Sequence, residues 1–491
     1  MYPGYAGTGR DATVALQVWS RPPPGAIIDG MDETPLTLSY DRGTVLLGDV
    51  PKALDALTLP GVRYDERTLT YRAQGRDYRA IVEHLIREKI PYTDNARGWP
   101  NAPTGWTLHT DRQPHPHQAE ALDVWWKTGR RGTIVLPTGT GKTYVAVMCM
   151  AKLGRPTLIV TPTLDLLRQW QDQLTTFFQV EVGAVGGGDY DFQPITVTTY
   201  DSAYIHLERW GNKFGLLIFD EVHHLPGATY MMTATGSLAP FRLGLTATPE
   251  RADGGEDLLP DLIGPIVYRR EIGELSGEYL AQYRTKRVYI DLSKDELDEY
   301  TKARDEYKRF LSSCGVDLGG PNGWQKFLFT ATRTPDGMAA LRAYRRQKEI
   351  ERSASGKFTA LEEIILKHPG ERSLVFTADN ATVYKIARRY LVPAITHQTK
   401  TKERKQVLAK FHSGEYSMLV TSQVLNEGVD VPAASVGVVL SGSGSIKENV
   451  QRLGRILRKY GDKQATLYEV IARGTAEEFT SDRRRQHGAF Q

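Results

Sequence analysis

The sequence predicts an α/β protein with two mostly parallel sheets, a small α+β module ahead of them and a helical insertion in the second. Three observations carry that reading. Between Gly132 and Tyr268, short apolar runs (TIVLP, TLIVTP, ITVTTY, LLIFDE, RLGLTATP) alternate with amphipathic stretches such as DLLRQWQDQLTTFF. Continuous apolar strands separated by helices are the pattern of a parallel sheet covered on both faces. The same rhythm returns in SLVFTAD, VPAIT, MLVTSQ, VGVVLSG and ATLYEVIA. Between the two regions lies SKDELDEYTKARDEYKRFLSS, followed by GWQKFLFTATRTPDGMAALRAYRRQKEI, dense in charge with apolar residues at helical spacing.

In chain order, residues 1–32 hold Arg21-Pro22-Pro23-Pro24-Gly25 and read as a loosely ordered leader. Residues 33–95 change to short apolar runs (LTLSYD, TVLLGD, VRYDERTLTYRA), with Asp41-Arg42-Gly43 as a hairpin turn. From Arg76, the positions Ile81, Val82, Leu85, Ile86 and Ile90 recur at helical spacing. Pro91 and DNARGWPNAPTG read as a linker. The first large α/β domain is expected over 103–278 and the second over 279–480, with its helical insertion at 292–352. Residues 481–491 are expected to form a basic tail.

Composition narrows the class. At roughly 150 residues per domain, 491 residues imply about three domains. An apolar fraction of 40% is enough for sizeable cores, so global disorder is excluded. Lys and Arg number 62 against 58 Asp and Glu, a net charge of +4, which permits a nucleic-acid surface without demanding one. The two cysteines, Cys149 and Cys314, are far apart and imply neither a disulfide framework nor a paired-cysteine metal site. No apolar run reaches ~18 residues, so no membrane-spanning helix is expected. A start without a basic-then-apolar pattern points to an intracellular protein.

The strand TIVL runs into Pro137-Thr138-Gly139-Thr140-Gly141-Lys142-Thr143 and then a helix-compatible stretch. Glycines let the backbone fold tightly round an anion while amides at the following helix N-terminus point at phosphate. Lys142 would meet the β- and γ-phosphates, and the Thr143 hydroxyl would ligate Mg²⁺. Leu136 stands where the usual eight-residue pattern has glycine. Downstream, Leu216-Leu217-Ile218-Phe219 delivers Asp220-Glu221-Val222-His223. A carboxylate at the end of a buried strand is placed to hold phosphate-bound Mg²⁺, here Asp220, and Glu221 can polarise the attacking water. Such an acidic pair is common alone and gains meaning from the phosphate loop ~80 residues upstream. His223 and His224 are adjacent, which is not zinc-site spacing, so hydrogen bonding at a domain interface is the better use of His223.

In Gln451-Arg452-Leu453-Gly454-Arg455-Ile456-Leu457-Arg458, a helix would gather Gln451, Arg455 and Arg458 on one face. Guanidinium groups suit the spread charge of a transferring phosphoryl group. Lying in the second α/β region, these residues would act across a cleft, so nucleotide binding would close two domains and hydrolysis release them.

Together PTGTGKT, DEVH, Thr246-Ala247-Thr248 and QRLGRILR resemble the signature of superfamily 2 helicases, over about His115 to Ala472. Within it the chain resembles the XPB helicases, especially their archaeal-type short forms, most closely in VLNEGVDVPAASVGVVLSGSGSIKENVQRLGRILRK and LIGPIVYRREIGELSGEYLA. The resemblance implies two RecA-like motor domains, a damage-recognition-type domain at the N-terminus and a helical thumb. It implies ATP and Mg²⁺ as cofactors and a 3′→5′ DNA helicase or double-strand DNA translocase, in repair of the nucleotide-excision type or transcription-linked opening.

The family roles fall on particular positions. Gln118 resembles the adenine-reading glutamine, and Gln451 joins the nucleotide contacts. His223, Thr246, Ala247, Thr248 and Asp430 resemble residues that couple hydrolysis to movement. Thr161, Pro162, Thr163, Thr199, Tyr200 and Gly428 resemble strand-backbone contacts. Arg455 and Arg458 resemble arginine fingers. One departure stands out: the family's Arg-Glu-Asp triplet, tied to unwinding, reads Arg251-Ala252-Asp253 here. Arg251 either wedges or clamps DNA or belongs to a plain surface turn. The N-terminal module serves damage sensing, general duplex binding or packing.

The alternatives are an RNA helicase, since the shared motifs do not fix the strand, and an ATP-binding adaptor that positions a nuclease. The adaptor predicts a damaged catalytic site, yet Lys142, Thr143, Asp220, Glu221, Arg455 and Arg458 are all present. Duplex, forked or damaged DNA is the expected partner. A nuclease docking on the thumb-like insertion is a further one, that surface being otherwise a solvated helical face. The expected location is cytoplasmic and nucleoid-associated, or nuclear in a eukaryote.

Overall fold

The structure, a computed structural model, describes residues 35–100, 105–251, 253–320, 322–422, 434–442, 445–457 and 464–485. The leader, Ala252, Gly428, Asp430, Arg458 and the last residues of the expected tail lie outside the described residues. The chain divides into two compact units, split between Arg270 and Glu271.

The first unit opens with a five-stranded sheet of order β3-β4-β2-β1-β5. Its strands are β1 (Leu36–Asp41), β2 (Thr44–Gly48), β3 (Arg63–Asp65), β4 (Thr70–Gln74) and β5 (Tyr92–Asp94). Arg42 and Gly43 both hold positive φ, 47° and 90°, the two-residue turn whose twist suits a tight hairpin. Helix α1 (Tyr78–Arg87) buries Tyr78, Ile81, Val82 and Leu85, so the apolar spacing marks the helix correctly. It ends before Ile90, because Lys89 takes a positive φ of 56°.

The stretch expected as a linker is instead packed against its surroundings. Ala96 and Trp99 are buried, and Trp99 meets Tyr78 edge-on at 6.2 Å. Proline, glycine and asparagine marked it correctly as irregular, but the buried indole makes it a strap. The Gly98 amide donates to the Asn212 carbonyl (2.8 Å), and the Asn212 side chain returns a bond to the Ala96 carbonyl (2.9 Å). Arg79 donates to the carbonyls of Gly129 (2.8 Å) and Pro240 (3.1 Å). The small domain is thereby seated on the first large sheet.

That sheet has eight strands in the order β13-β6-β12-β11-β7-β10-β8-β9. They are β6 (Arg131–Val135), β7 (Thr157–Thr161), β8 (Gly183–Gly186), β9 (Asp189–Tyr190), β10 (Ile195–Thr199), β11 (Leu216–Asp220), β12 (Phe241–Thr246) and β13 (Ile266–Arg269). All its pairings are parallel except the β8–β9 hairpin. Every residue of β7, β10, β11 and β12 is buried, which is why these strands read as unbroken apolar runs. Helix α2 (Pro116–Lys127) leads into β6, and α3 (Lys142–Leu153), α4 (Leu164–Phe178) and α5 (Tyr200–Trp210) lie between later strands. Cys149 is buried in α3 and its thiol pKa is pushed up by desolvation, which leaves it inert.

The second unit holds a six-stranded parallel sheet of order β14-β19-β18-β15-β17-β16. Its strands are β14 (Gln282–Ile290), β15 (Ser373–Phe376), β16 (Ala394–Ile395), β17 (Met418–Thr421), β18 (Val436–Val439) and β19 (Gln464–Ala472). Between β14 and β15 stand α6 (Lys294–Cys314), α7 (Gly323–Ala331), α8 (Pro335–Ser353) and α9 (Ser355–Lys367). The first three share a core of their own around Tyr307, Phe327 and Leu341. They are followed by α10 (Asn380–Tyr390), α11 (Thr401–Ser413), α12 (Ile446–Ile456) and α13 (Glu477–Arg484). Residues 481–485, expected as the start of a basic tail, finish α13 and the turn after it. Ser481 and Arg484 are buried there, Arg484 beside Glu469, so the basic run is held by a buried carboxylate.

Candidate functional site

The site in the first unit is built at the carboxyl ends of neighbouring strands. Val135 of β6 pairs with Thr246 of β12, and Leu245 pairs with Asp220 of β11. The register therefore sets the phosphate loop, the acidic pair and Thr246-Ala247-Thr248 along one sheet edge, the usual place for a ligand in such sheets.

In the loop, Gly141 has a φ of 86° and caps α3. That positive φ requires glycine, and a Cβ there would displace the Gln118 amide, 2.3 Å away. Gln118 is buried and donates to the Thr140 carbonyl (2.8 Å), while its Oε1 accepts from the His115 amide (3.0 Å). The His117 ring meets the same Thr140 carbonyl at 3.0 Å. The Thr140 hydroxyl donates to the Pro137 carbonyl (2.8 Å), and Lys142 Nζ crosses the loop to the Leu136 carbonyl (3.0 Å). Thr138 and Thr143 are partly exposed and Gly139 is open to solvent. The result is a rigid loop with a lysine, a hydroxyl and the first amides of a 12-residue helix, a donor set that fits a Mg²⁺-bound triphosphate.

Asp220 is buried, and its carboxylate is fixed by two bonds that reading along the chain missed in part. Trp170 Nε1 donates to Oδ2 (2.8 Å), and the Glu221 amide to Oδ1 (3.0 Å). Tyr200 Oη donates to the Asp220 carbonyl (3.0 Å). Glu221 sits in the left-handed region at φ 47°, which sharply reorients the chain after the strand. The Thr246 hydroxyl lies 3.4 Å from Glu221 Oε2 and 2.9 Å from His223 Nδ1. It also receives the Thr248 amide (3.1 Å), and Ala247 spans the two threonines. His223 thus bonds inside its own domain. Arg251 donates to the His223 carbonyl and to the exposed Asp253 at 2.8 and 2.6 Å, so its guanidinium bridges the turn to His223.

The residues expected to touch a strand backbone divide. Thr161 is buried with its hydroxyl near the carbonyls of Thr163 and Thr198, both 3.2 Å, and Tyr200 is buried under Asp220. Thr163 caps α4 through the Leu166 amide (3.2 Å), Pro162 lies beside it, and Thr199 caps α5 through the Ser202 amide (3.2 Å). Thr161 and Thr199 pair in adjacent strands, so the two helix N-termini stand side by side. The exposed loop at Gly187-Gly188 joins them: a Cβ on Gly187 would meet Leu164 at 2.9 Å. Three consecutive glycines at a strand end were the signal available for it.

In the second unit, α12 carries Gln451 and Arg455, both buried, with Ser445 as its cap. The neighbouring Arg452 lies 5.5 Å from the Phe376 ring and pairs with Glu448 at 3.3 Å. Burial lowers the Arg452 pKa to about 10, with Glu448 opposing that effect.

Comparisons place this architecture. Residues 38–96 match the model described as the xeroderma pigmentosum group B helicase damage recognition domain. Residues 111–251 match the type III restriction enzyme res subunit, and 356–460 the helicase conserved C-terminal domain. The DNA 3′-5′ translocase XPB2 of Sulfurisphaera tokodaii is 41% identical over 428 residues, 87% of this chain and 96% of that protein. The chain belongs to the XPB helicase family. Another relative, the DNA 3′-5′ helicase XPB of Mycobacterium tuberculosis, is 31% identical over 92% of this chain and 77% of its own length. Among solved structures, the Hef helicase domain of Pyrococcus furiosus superposes with a TM-score of 0.52 at 22% identity, covering 77% of this chain and all of that one. That likeness confirms the helicase fold of this XPB-family chain.

Proposed function

We propose that this XPB-family chain is an ATP-hydrolysing 3′→5′ DNA helicase or translocase acting in DNA repair or transcription. The observation that carries the reading is the shared sheet edge where the Lys142 loop, Asp220, Glu221 and Thr246 meet. Lys142 and the loop amides hold the triphosphate, and Gln118 reads the adenine. Thr143 and Asp220 would hold Mg²⁺, whose charge would offset that on the phosphate oxygens. Glu221 orients and deprotonates the attacking water. The Thr246 hydroxyl, joined to Glu221 and His223, passes the state of the site to the strand-binding edge. Gln451, Arg455 and Arg458 are the nucleotide-directed residues of the second unit, with Gly428 as a strand contact and Asp430 as a coupling residue.

DNA lies along the helix N-termini capped by Thr163 and Thr199 and the glycine loop between them. Those groups address phosphates and leave sequence unread. Arg251 supports the DNA-facing edge through the His223 carbonyl. The N-terminal domain contributes duplex or damage recognition, and the helical insertion is the surface for a nuclease partner. Among the described residues no helix is long and apolar enough to cross a membrane, and a DNA-directed motor belongs at the nucleoid or in the nucleus. ATPase rates with duplex, forked and single-stranded DNA and with RNA test the assignment. Duplex DNA is expected to stimulate most, and stimulation by RNA alone would replace it with an RNA helicase.

Ala252 bears on what the motor does with the strands. Without the triplet's acid, movement along DNA is expected to be more robust than strand separation. Opening a base pair costs about 1.4 kcal/mol of stacking per step, whereas backbone tracking needs only phosphate contacts. Unwinding of a forked duplex should therefore lag behind translocation and improve in Ala252→Glu. Equal rates, unchanged by the substitution, would make Ala252 functionally silent.

A further inference from the structure

Helix α12 carries two sets of residues. Gln451 and Arg455 are spaced i, i+4, while Asn449, Arg452 and Ile456 fall on another face at i, i+3 and i+7. Asn449 is wholly buried, and its Nδ2 donates to Glu469 Oε1 at 3.2 Å. Glu469 stands on β19, 1% exposed. Its Oε2 accepts from the Ser481 hydroxyl of α13 at 2.8 Å, and the guanidiniums of Arg484 and Arg485 approach to 3.9 Å each.

The far side of this anchor is also fixed. Glu477, which begins α13, accepts two bonds of 2.7 Å from the buried Lys357 Nζ, which also donates to the Leu440 carbonyl at 2.6 Å. The Ala476 amide donates to Tyr300 Oη at 3.1 Å, and that hydroxyl donates to Glu351 at 3.1 Å. Helix α13 is thus locked at its start to α6, α8 and α9, and along its length to Glu469.

A carboxylate buried on a sheet strand is costly where apolar packing would serve, and breaking such a pair leaves an uncompensated charge. Apolar contacts let a helix slide and roll, whereas a hydrogen bond from Asn449 to a fixed acceptor selects one rotation. We propose that Glu469 and Asn449 are positioning residues that set the rotation of α12 and, through it, the placement of the Arg455 guanidinium during phosphoryl transfer. The inference rests on the reading of Arg455 as a nucleotide-directed arginine. Neither positioning residue touches the nucleotide; a misplacement of about 1 Å costs about 10²-fold in rate.

The test uses the full chain with Asn449→Leu, Glu469→Ala and Glu469→Gln. Measurements are DNA-stimulated ATPase, affinity for a fluorescent ATP analogue, thermal melting, and amide hydrogen exchange across residues 446–456. Asn449→Leu and Glu469→Ala should lower kcat by about 10- to 100-fold, with analogue affinity unchanged and exchange in α12 accelerated. Glu469→Gln keeps an oxygen for Asn449 but takes the charge from beside Arg484 and Arg485, so it should melt earlier while retaining kcat within about threefold. If Asn449→Leu loses its melting transition, Asn449→Ser, which adds no bulk, decides the matter on the same readouts. Wild-type turnover and exchange in the folded Asn449 variant overturn the proposal, as does Glu469→Gln as impaired as Glu469→Ala. Arg455→Ala separates the two levels: if it too turns over normally, the reading of Arg455 fails. If it alone is inactive, only the positioning role fails.

Discussion

Glu221→Gln is expected to reduce ATP hydrolysis by about 10³-fold or more while leaving ATP bound, and Lys142→Ala to abolish hydrolysis with weakened binding. The contrast follows from where the two side chains stand. Glu221 follows Asp220 with a left-handed backbone, and its carboxylate lies 3.4 Å from the Thr246 hydroxyl. Gln preserves that shape and its hydrogen bonds but cannot take a proton from water. Lys142 lies in the loop itself, where its ammonium spans to the Leu136 carbonyl, and Ala removes a positive charge from the phosphate cradle. Equilibrium binding of a fluorescent ATP analogue beside phosphate-release kinetics separates the two effects. Near-normal hydrolysis in either variant contradicts the motor assignment.

Arg455→Ala is expected to cut turnover by about 10³-fold or more, since an arginine finger is worth 10³ to 10⁵ in rate. ATP binding should survive, because the phosphate loop and Gln118 belong to the first unit. Arg458→Ala should behave alike. Lysine at Arg455 should rescue little, as an ammonium cannot offer the planar fork of donors. Single-turnover hydrolysis with the separated domains completes the test: full-rate hydrolysis by the first domain alone shows that no group from the second takes part.

The parts legible in the sequence were those whose signal is local. Strands buried on both faces read as unbroken apolar runs, and the phosphate loop lies within a few consecutive residues. Strand β14 escaped because its alternating charged pattern, QYRTKRVYI, belongs to a sheet edge with half its residues facing outward. The strap at Ala96–Trp99 and the end of α13 were misjudged for a related reason, since composition marks a segment as irregular or basic without showing what it rests on. Within the site, motif residues were legible and their supports were not. Trp170 meets Asp220 across 50 positions of sequence, and Asn449 meets Glu469 across 20. Neither partner has a spacing signature, because the sheet rather than the chain brings them together. Tyr200 shows the converse. Its place beside Thr199 gave it a strand-facing reading, yet its hydroxyl donates to the Asp220 carbonyl from inside the fold.

If ATP hydrolysis at the Lys142–Glu221 edge drives this chain along duplex DNA, it should displace a triplex-forming strand from a blunt duplex. The wild-type chain should displace the third strand in the presence of ATP and magnesium, and Glu221→Gln should bind the DNA without displacing it. Displacement that persists in Glu221→Gln, or none by a wild-type chain whose ATPase is stimulated by the same duplex, would show that hydrolysis at this edge does not power movement along DNA.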